Sequence, residues 1–320
     1  MRQLAPIALF VYNRPGHTKQ TLDALAKNPE AEYSTLHVFC DGPKPGASET
    51  DLEAIREVRR IVRGRQWCSQ VVIEEAEANL GLAKSIKTGI DRVLEHSDRI
   101  IVLEDDIETS LGFLAFMNHA LDIYADDERV MHVSAYLPAT SYQSLLPPSF
   151  LHQLMLCWGW ATWQRAWKHF RTDGPQLLED IRKSPNGMEG FNLRGAFRLT
   201  DQLTANLEGR ISTWAVFWAA SIYLNSGLCL LPGKSLAQNI GCDGSGEHCN
   251  DTREFAVSLV NEVSVRRQRI RESRIGDFYL RSFFRYGLNS SIYRRLRIGM
   301  GLWKHKVAVR IKRTHASGPP

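Results

Sequence analysis

Residues 100–106 constrain this chain most, because an apolar run passes directly into three consecutive carboxylates. The run Ile-Ile-Val-Leu predicts a short buried strand, parallel to its neighbours and covered on both faces. Glu104, Asp105 and Asp106 then fall at its carboxyl end, the edge at which open α/β sheets bind ligands. A divalent cation such as Mg²⁺ or Mn²⁺ would relieve the repulsion among these acids, since hard cations prefer carboxylate oxygens. An acidic loop that caps the next helix is the alternative interpretation.

The first hundred residues alternate between short apolar runs and amphipathic segments. Strands are predicted over residues 6–12, 36–40, 71–73 and 100–103, and helices over 18–27, 51–62 and 83–94. Further helices are predicted over 113–124, 197–207 and 213–224, further strands over 130–135 and 228–231, and a loop over 138–149. This alternation predicts an α/β fold with a mostly parallel, doubly wound sheet. The strand ends would bring Arg14 and Asp41 to the same edge as the three acids.

Three motifs of nucleotide-binding and hydrolytic proteins are absent from the sequence. No Gly-x-Gly-x-x-Gly follows the first strand, no Gly-x-x-x-x-Gly-Lys-Ser/Thr occurs, and no Gly-x-Ser-x-Gly occurs. Their absence argues against a dehydrogenase-type dinucleotide fold, a P-loop and a hydrolase nucleophile elbow. Without a glycine cradle, phosphates would be held by the cation and by scattered basic side chains. Arg14 and Lys84 are the candidates, and a solvated surface charge is the alternative for each.

Tryptophan is concentrated in one segment of the chain. Trp158, Trp160, Trp163 and Trp167 fall within ten residues, with Gly159 between the first two. Flat indole faces pack well on sugar rings, whereas core packing explains the same cluster without a ligand. A glycine at this point indicates a backbone that approaches a ligand closely. Both interpretations of the tryptophans stay open at this level.

The cysteines and the start of the chain favour a cytoplasmic protein. Six cysteines in 320 residues do not make a disulfide framework, and the first residues lack the cleavage pattern of a signal peptide. No apolar run reaches the length of about 18 residues that a transmembrane helix needs. Cys242, His248 and Cys249 lie close together, and zinc is an alternative there, although their spacing matches no standard zinc finger.

Positive charge is concentrated near the end of the chain. The net charge of +5 combines +13 over residues 266–313 with about −8 over the remainder. Aromatic residues are interleaved with Lys and Arg in this segment, a pattern typical of helices on an anionic membrane surface. A helix packed on the rest of the protein is the alternative. Nucleic acid is not expected as a partner, because no recognition motif accompanies the charge.

Several of these segments occur together in one order. They are Asn13-Arg14-Pro15, Asp41-Gly42-Pro43-Lys44, Asn79-Leu80-Gly81-Leu82, Leu103-Glu104-Asp105-Asp106, Trp158-Gly159-Trp160 and Asn239-Ile240-Gly241. The set resembles bacterial sugar transferases of the GT-A fold and, more distantly, the N-acetylglucosaminyltransferase that begins hybrid N-glycans. The resemblance covers about residues 5–250. It implies a mostly parallel sheet flanked by helices, a nucleotide-sugar donor with a UDP-sugar favoured, and Mn²⁺ or Mg²⁺.

The resemblance also implies roles for individual residues. Glu104, Asp105 and Asp106 would be the DxD-type motif, in which Asp106 binds the metal and Asp105 contacts the ribose or sugar. His248 would supply a late contact to the metal or a phosphate. The remaining donor contacts would come from Tyr12, Asn13, Arg14, Asp41, Asn79, Gly81 and Lys84, and the acceptor contacts from Trp158, Gly159, Trp160 and Trp214.

One position departs from the family pattern. Relatives often carry Asp at a helix start near the acceptor, whereas residues 212–215 contain no acid here. An inverting transfer needs a carboxylate within hydrogen-bond reach of the acceptor hydroxyl. Asp201 and Glu208 are the nearest acids upstream and are the candidate catalytic residues, while Asp243 and Glu247 are the nearest downstream. A different base, a retaining mechanism and a chain altered at this site are the three options.

The resemblance therefore implies a metal-dependent hexosyl- or N-acetylhexosaminyltransferase of bacterial surface polysaccharide synthesis. Its acceptor would be a glycan or a lipid-linked sugar, reached from the inner face of the plasma membrane. The catalytic domain would span residues 1–255, with a nucleotide half to about residue 110, and a basic helical extension would span 256–320. Nucleotidyl transfer on a related fold is one alternative, although the turn at residues 13–16 is too short for it. A carbohydrate-binding relative that lost its base is the other, favoured by Ala215.

Overall fold

The computed structural model describes residues 4–244 and 254–287, which contain ten strands and ten α-helices. The strands are β1 (Ile7–Val11), β2 (Thr35–Cys40), β3 (Gln70–Glu75), β4 (Arg99–Glu104), β5 (Ile107–Thr109), β6 (Val130–Ser134), β7 (Ser149–His152), β8 (Trp160–Trp163), β9 (Leu228–Pro232) and β10 (Ala237–Asn239). The helices are α1 (Pro15–Leu25), α2 (Glu49–Arg63), α3 (Leu82–Leu94), α4 (Phe113–Ile123), α5 (Gln164–Trp167), α6 (Gly174–Lys183), α7 (Gly187–Phe191), α8 (Leu199–Leu207), α9 (Ala215–Leu224) and α10 (Arg274–Tyr286). Strand and helix alternate from β1 to β4, in agreement with the apolar pattern of the sequence.

Eight strands form one sheet in the order β3-β2-β1-β4-β8-β6-β9-β7. The first four are parallel neighbours, since β1 pairs with β2 and β4, and β2 pairs with β3. β6 and β9 also pair in parallel, whereas β8 is antiparallel to β4 and β6, and β7 is antiparallel to β9. The predicted α/β class, with a mostly parallel central sheet flanked by helices, is confirmed. The carboxyl ends of β1 to β4 therefore lie at one edge.

Alternate side chains of each central strand enter two separate cores. On β1, Ala8 and Phe10 join the core on one face, while Ile7, Leu9 and Val11 join the core on the other. Helices α3, α8, α9 and α10 cover the first face, and α1, α2 and α4 cover the second. Each fully buried aliphatic or aromatic side chain contributes about 1.5–3 kcal/mol to folding. This two-sided burial fixes the strand ends rigidly, and the strand ends carry the polar residues of interest.

The sequence analysis did not predict β7 and β8. β8 lies antiparallel between β4 and β6, and all four of its residues are buried. Trp163 donates its indole N–H to the carbonyl of Leu121 (3.1 Å), as a buried tryptophan usually does. β7 falls at the end of a segment that was predicted to be a loop and packs against α10. For Trp160 and Trp163, core packing is thus the interpretation that the structure supports.

The first part of the basic segment packs on the sheet. Tyr279, Leu280 and Phe283 of α10 are buried, and the Tyr279 hydroxyl donates to the carbonyl of Pro138 (2.7 Å). For α10 the structure therefore shows the packed helix rather than a helix lying on a membrane. Residues 288–320 lie outside the described residues, so the membrane-surface prediction for them stays a prediction. Within the described residues, no helix combines the length and apolarity needed to cross a bilayer.

One cysteine departs from the expectation of free thiols. Cys40, Cys68, Cys157 and Cys229 are free, whereas Cys242 is disulfide-bonded. A disulfide sulfur is not the thiolate that zinc needs, so the zinc alternative at residues 242–249 loses this ligand. The other two residues of that alternative, at positions 248 and 249, lie outside the described residues.

Candidate functional site

A large cavity opens at the carboxyl ends of β1, β2 and β4. Its volume is about 1290 Å³, which exceeds the roughly 300–1,000 Å³ of a usual small-molecule site. The lining residues numbered 10–106 form what we call the charged half. The lining residues numbered 136–219 and 255–284 form the apolar half. Among the described residues, every charged side chain that lines the cavity belongs to the charged half: Arg14, Asp41, Lys44, Asp51, Glu104, Asp105 and Asp106.

Arg14 joins β1 to the acids that follow β4. It precedes α1, and its guanidinium donates hydrogen bonds to Asp105 and to Oδ2 of Asp106 (2.9 Å). Burial would lower the pKa of Arg14, but the negative charges of the two carboxylates outweigh it and hold the pKa above its ordinary value. The charged half therefore contains a permanent cation in contact with two of the three consecutive acids.

The three consecutive acids differ in their surroundings. Burial raises the pKa of Glu104 above its ordinary value, and the negative charges of Asp106 and Asp105 add to this shift. Burial also raises the pKa of Asp105, against the lowering effect of Arg14. The side chain of Trp214, a residue of the apolar half, lies beside Glu104 and opposes the rise in the pKa of Glu104. Glu104 thus lies at the boundary between the two halves.

Residues 239–241 cover Asp106. β10 pairs antiparallel with β5, and the N–H of Ile240 donates to the backbone carbonyl of Asp106 (2.8 Å). A Cβ at Gly241 would collide with the Asp106 carboxylate and with the Arg14 guanidinium. Any larger residue here would have to displace this ion pair, because the backbone passes directly over it. The segment that covers Asp106 is therefore continuous with a paired strand, β10.

Asp41 holds the turn that follows β3. Its Oδ1 accepts the N–H groups of Gly42 and Leu80 (both 2.8 Å), and its Oδ2 accepts the N–H of Gly81 and the side-chain amide of Asn79 (both 3.1 Å). An ionised carboxylate has about four acceptor positions, and all four are occupied by protein groups. Asp41 therefore positions Asn79 and Gly81 at the cavity and has little capacity left to bind a ribose itself.

A flat aromatic ring lies at the outer end of the charged half. Tyr12 follows β1, lines the cavity and is half-buried, with the ammonium of Lys44 over its ring at 5.9 Å from the ring centre. Asn13 donates to Oδ1 of Asp51 (3.3 Å), which ties this turn to the start of α2. The ring of Tyr12 offers a face on which a planar base can stack. Lys44 and Asp51 were not among the residues assigned from the sequence.

Five predicted site residues lie away from the cavity lining: Lys84, Asp201, Glu208, Gly159 and Trp160. Lys84 is exposed on α3. Asp201 is exposed and pairs with Arg198 (3.0 Å), and Glu208 is exposed and pairs with Arg210. Neither acid is placed to take a proton from a ligand in the cavity. The sequence suggested them only by their position in the chain, which carries no information about distance in the fold. His248 lies outside the described residues.

The tryptophan segment divides between core and cavity. Trp158 and Trp214 line the cavity, whereas Trp160 is fully buried and stacks on Trp214 (4.9 Å between ring centres). Gly159 has a positive φ of 67°, and a Cβ there would press on the ring of Phe113 (3.0 Å). Gly159 is thus explained by its backbone conformation and by packing, and it does not line the cavity.

The apolar half contains a continuous row of aromatic rings. Successive ring centres lie 4.5, 5.6, 5.9, 5.1 and 4.2 Å apart. We call this row the aromatic wall, and in order it consists of Tyr136, Trp158, Phe255, Phe283, Phe284 and Phe197, all of which line the cavity. Of these residues the sequence analysis assigned only Trp158 to a site. The others come from four further segments of the chain and share no local motif.

Comparisons with known proteins give little beyond this geometry. No protein-family model and no curated protein sequence matches the chain. Among solved structures it is similar to the crystal structure of S. aureus TarS, with a TM-score of 0.37 and 12% identity over 75% of this chain. The chain spans 37% of the length of that structure. The description of the fold therefore rests on the strand order and pairing given above.

Proposed function

We propose that this protein is a metal-dependent glycosyltransferase. In this proposal it moves a sugar from a nucleotide-sugar donor, with a UDP-sugar favoured, to a hydroxyl group of a glycan or lipid-linked acceptor. The observation that carries the proposal is the division of one cavity into a charged half at the strand ends and an apolar half opposite. The cavity volume of about 1290 Å³ leaves room for a donor and an acceptor side by side.

The charged half supplies the donor contacts in this proposal. The ring of Tyr12 would stack on the base, and the turn held by Asp41 would present Asn79 and Gly81 to the ribose or the donor sugar. Arg14 would hold the diphosphate through its guanidinium, which suits paired phosphate oxygens. This assignment needs Arg14 to exchange its present carboxylate partners for phosphate oxygens when the donor binds.

The acids fit a metal that is shared with the substrate. Carboxylate oxygens are the right donors for Mn²⁺ or Mg²⁺, but Arg14 engages both Asp105 and Asp106. Within the part of the chain that the structure describes, no three His, Cys, Asp or Glu side chains come together as ligands. Mg²⁺ is commonly held by one or two carboxylates together with substrate phosphates. Asp106 is the proposed ligand, and a cation there would neutralise charge on the departing nucleoside diphosphate.

Leaving-group stabilisation and positioning would then supply most of the rate enhancement. Arg14 would help to stabilise the diphosphate that leaves, since a preorganised cation acts most strongly in a site from which water is excluded. The acceptor would lie on the side of Trp158 and Trp214, next to Glu104 at the boundary of the two halves. Fixing both substrates in one cavity removes much of the entropic barrier to their reaction.

A single experiment separates this function from its alternatives. UDP-, GDP- and CMP-sugars are titrated into the full chain by calorimetry with and without Mn²⁺, and released nucleotide is assayed with a mixture of candidate acceptors. We expect binding of one nucleotide class that strengthens with Mn²⁺, with slow release of nucleoside diphosphate. Binding without any release would favour a carbohydrate-binding relative that lacks the base, and release of pyrophosphate would favour nucleotidyl transfer. No binding of any nucleotide sugar would refute all three.

We also propose that residues 288–320 attach the protein to an anionic membrane surface. This segment contains eight Lys or Arg and no Asp or Glu, and each basic residue near such a surface is worth about 1 kcal/mol. A chain that ends at residue 287 keeps all of α10, so it serves as the matched variant. The full chain should sediment with phosphatidylserine vesicles and not with phosphatidylcholine vesicles, and the shortened chain with neither. Equal sedimentation of both chains with phosphatidylserine would contradict the proposal.

A further inference from the structure

The apolar half is poorly suited to bind a bare sugar. A sugar presents several hydroxyl groups, and sites that recognise it need polar side chains with free hydrogen-bonding capacity. The Tyr136 hydroxyl already donates to the carbonyl of Phe255 (3.0 Å), and the Thr213 hydroxyl already accepts the N–H of Ala215 (3.3 Å). The Trp214 side chain lies beside Glu104. Among the described residues, no charged side chain lines this half, and Gln202 is the one side-chain amide that does, so a bare sugar would leave most of its hydroxyl groups unpaired.

The aromatic wall offers a long apolar surface in the same region. Its six rings line the cavity in unbroken contact, and four of them, Phe197, Trp158, Phe255 and Phe284, are half-buried. A half-buried ring keeps part of its face toward the cavity. Aromatic faces of this kind bind hydrocarbon strongly, because each ring carries a large apolar area. The wall runs from Tyr136 through Trp158 to Phe197. Burial and the negative charge of Glu104 raise the pKa of Cys157, so the Trp158 end of the wall is the end near the charged half.

We infer that the apolar half binds the apolar portion of an amphiphilic acceptor, a hydrocarbon group attached to the sugar or alcohol that receives the transferred sugar. The accepting hydroxyl would lie near Glu104 and Trp214, and the hydrocarbon would lie along the aromatic wall. The inference rests on the proposed function in calling this ligand the acceptor. The ligand is defined by an apolar aglycone. Both an alkyl or isoprenoid lipid and an aryl glycoside provide one.

The C-terminal segment is part of this binding site. Phe255, Phe283 and Phe284 all belong to residues 254–287, and α10 is fixed by Tyr279, whose hydroxyl donates to Pro138. The two parts of the basic C-terminal region therefore have different roles. Phe283 and Phe284 of α10 build the cavity wall, while the residues beyond position 287 carry most of the remaining positive charge.

Binding of simple glycosides to the full chain tests the inference without donor or metal. Glucose, octyl glucoside below its micelle concentration, and phenyl glucoside are titrated separately by calorimetry. Burial of every two methylene groups strengthens binding by about tenfold, so at least one glycoside should bind at least about tenfold more tightly than glucose. Tighter binding of octyl glucoside would identify an alkyl source, and tighter binding of phenyl glucoside an aryl source. Equal affinity for glucose, or no binding of either glycoside, would overturn the inference.

A matched pair of variants on α10 places the glycoside at the wall. Phe284 and Phe278 are both half-buried on this helix, but Phe278 packs edge-on against Tyr142 (5.5 Å) and does not line the cavity. Phe284→Asn should weaken glycoside binding about tenfold, and Phe278→Asn less than about twofold. Phe197→Asn, at the end of the wall, replaces Phe284→Asn if that variant does not fold. An equal effect of the α10 pair, or none at either wall position, would overturn the inference.

Nucleotide titrations of the same variants separate this inference from the proposed function. If the glycosides bind at the wall and no nucleotide sugar binds, the function is wrong while the apolar binding site stands. If UDP binds to Phe284→Asn as it does to the unmodified chain, and no glycoside binds to either, the function stands and the inference is wrong.

Discussion

The two halves of the cavity are built in different ways. All the charged side chains of the charged half lie between Arg14 and Asp106, at the ends of consecutive parallel strands, in the turns beside them or, for Asp51, in the first turn of α2. The apolar half collects its lining from many separate segments between residues 136 and 284. In the charged half, the fold repeats one local unit, a strand followed by a turn, and each unit places its polar residue at the same edge of the sheet. In the apolar half, only the packing of distant segments creates the surface.

The halves also differ in whether their side chains already have polar partners within the protein. In the charged half, Arg14 is paired with Asp105 and Asp106, and the Asp41 carboxylate is occupied by three backbone N–H groups and the Asn79 amide. A ligand there must replace existing interactions, so specificity rather than raw affinity is expected from them. In the apolar half, a ligand removes apolar surface from water and displaces no ion pair. We therefore expect the charged half to control the reaction and the apolar half to supply acceptor affinity.

The largest expected effect is on the charged half. Asp106→Asn should lower the rate of sugar transfer by about a thousandfold, because the proposed metal ligand and its charge are lost at the leaving group. Initial rates are measured with saturating donor and Mn²⁺. Asp201→Asn and Glu208→Gln serve as controls and should change the rate less than about twofold, since neither residue lines the cavity. A large loss in either control, with Asp106→Asn active, would reverse this view of the site.

A charge placed in the apolar half should separate acceptor from donor. Ile211 lines the cavity and is half-buried, so Ile211→Glu would bring a carboxylate against the acceptor's hydrocarbon. We expect the acceptor KM to rise at least about tenfold, because burying that charge costs several kcal/mol, while donor affinity changes less than about twofold. Leu207→Glu, at an exposed position of α8 outside the lining, is the matched control. An equal loss of donor affinity would contradict the division into halves.

Removal of Arg14 should change metal binding in the charged half. Arg14→Ala frees Asp105 and Asp106, so Mn²⁺ affinity without nucleotide should rise about tenfold, while UDP affinity without Mn²⁺ should fall. Free Mn²⁺ is measured by electron paramagnetic resonance, and UDP binding by calorimetry. Arg14→Lys keeps the charge but lacks the planar guanidinium. Its affinities for Mn²⁺ and UDP should lie between those of the unmodified chain and those of Arg14→Ala. Unchanged Mn²⁺ affinity in Arg14→Ala would show that the arginine and the metal do not compete.

The smallest expected effect is on stability as a function of pH. Burial and the neighbouring acids raise the pKa of Glu104 in the folded protein, so the fold binds this proton more tightly than the unfolded chain does. The free energy of unfolding should therefore fall as the pH rises above about 4.3, the ordinary pKa of Glu, through the raised pKa. Glu104→Gln should flatten this decrease. Urea unfolding between about pH 5 and pH 8 measures how the free energy of unfolding depends on pH. The same dependence in Glu104→Gln and in the unmodified chain would contradict the raised pKa of Glu104.

The local residues predicted the α/β class and the grouping of the strand-end residues. Apolar runs such as that of β4 are long enough to indicate buried strands, and parallel strands place their carboxyl ends together. β8 was missed because its apolar residues follow a glycine turn and resemble an aromatic patch in sequence. Asp41 was assigned to the ligand, although its carboxylate is filled by the turn at residues 79–81, a contact that only the folded chain reveals.

The sequence alone determined where charge meets the sheet edge, because a strand and the turn after it are neighbours in the chain and fold together. Tertiary structure alone decided which acids reach a ligand and which rings form a surface. Asp201 and Glu208 carry the right chemistry but pair with surface arginines. Phe197 and Phe284 stack at 4.2 Å although 87 positions separate them in the chain. Apolar attraction has no direction, so such contacts are fixed only when whole helices pack.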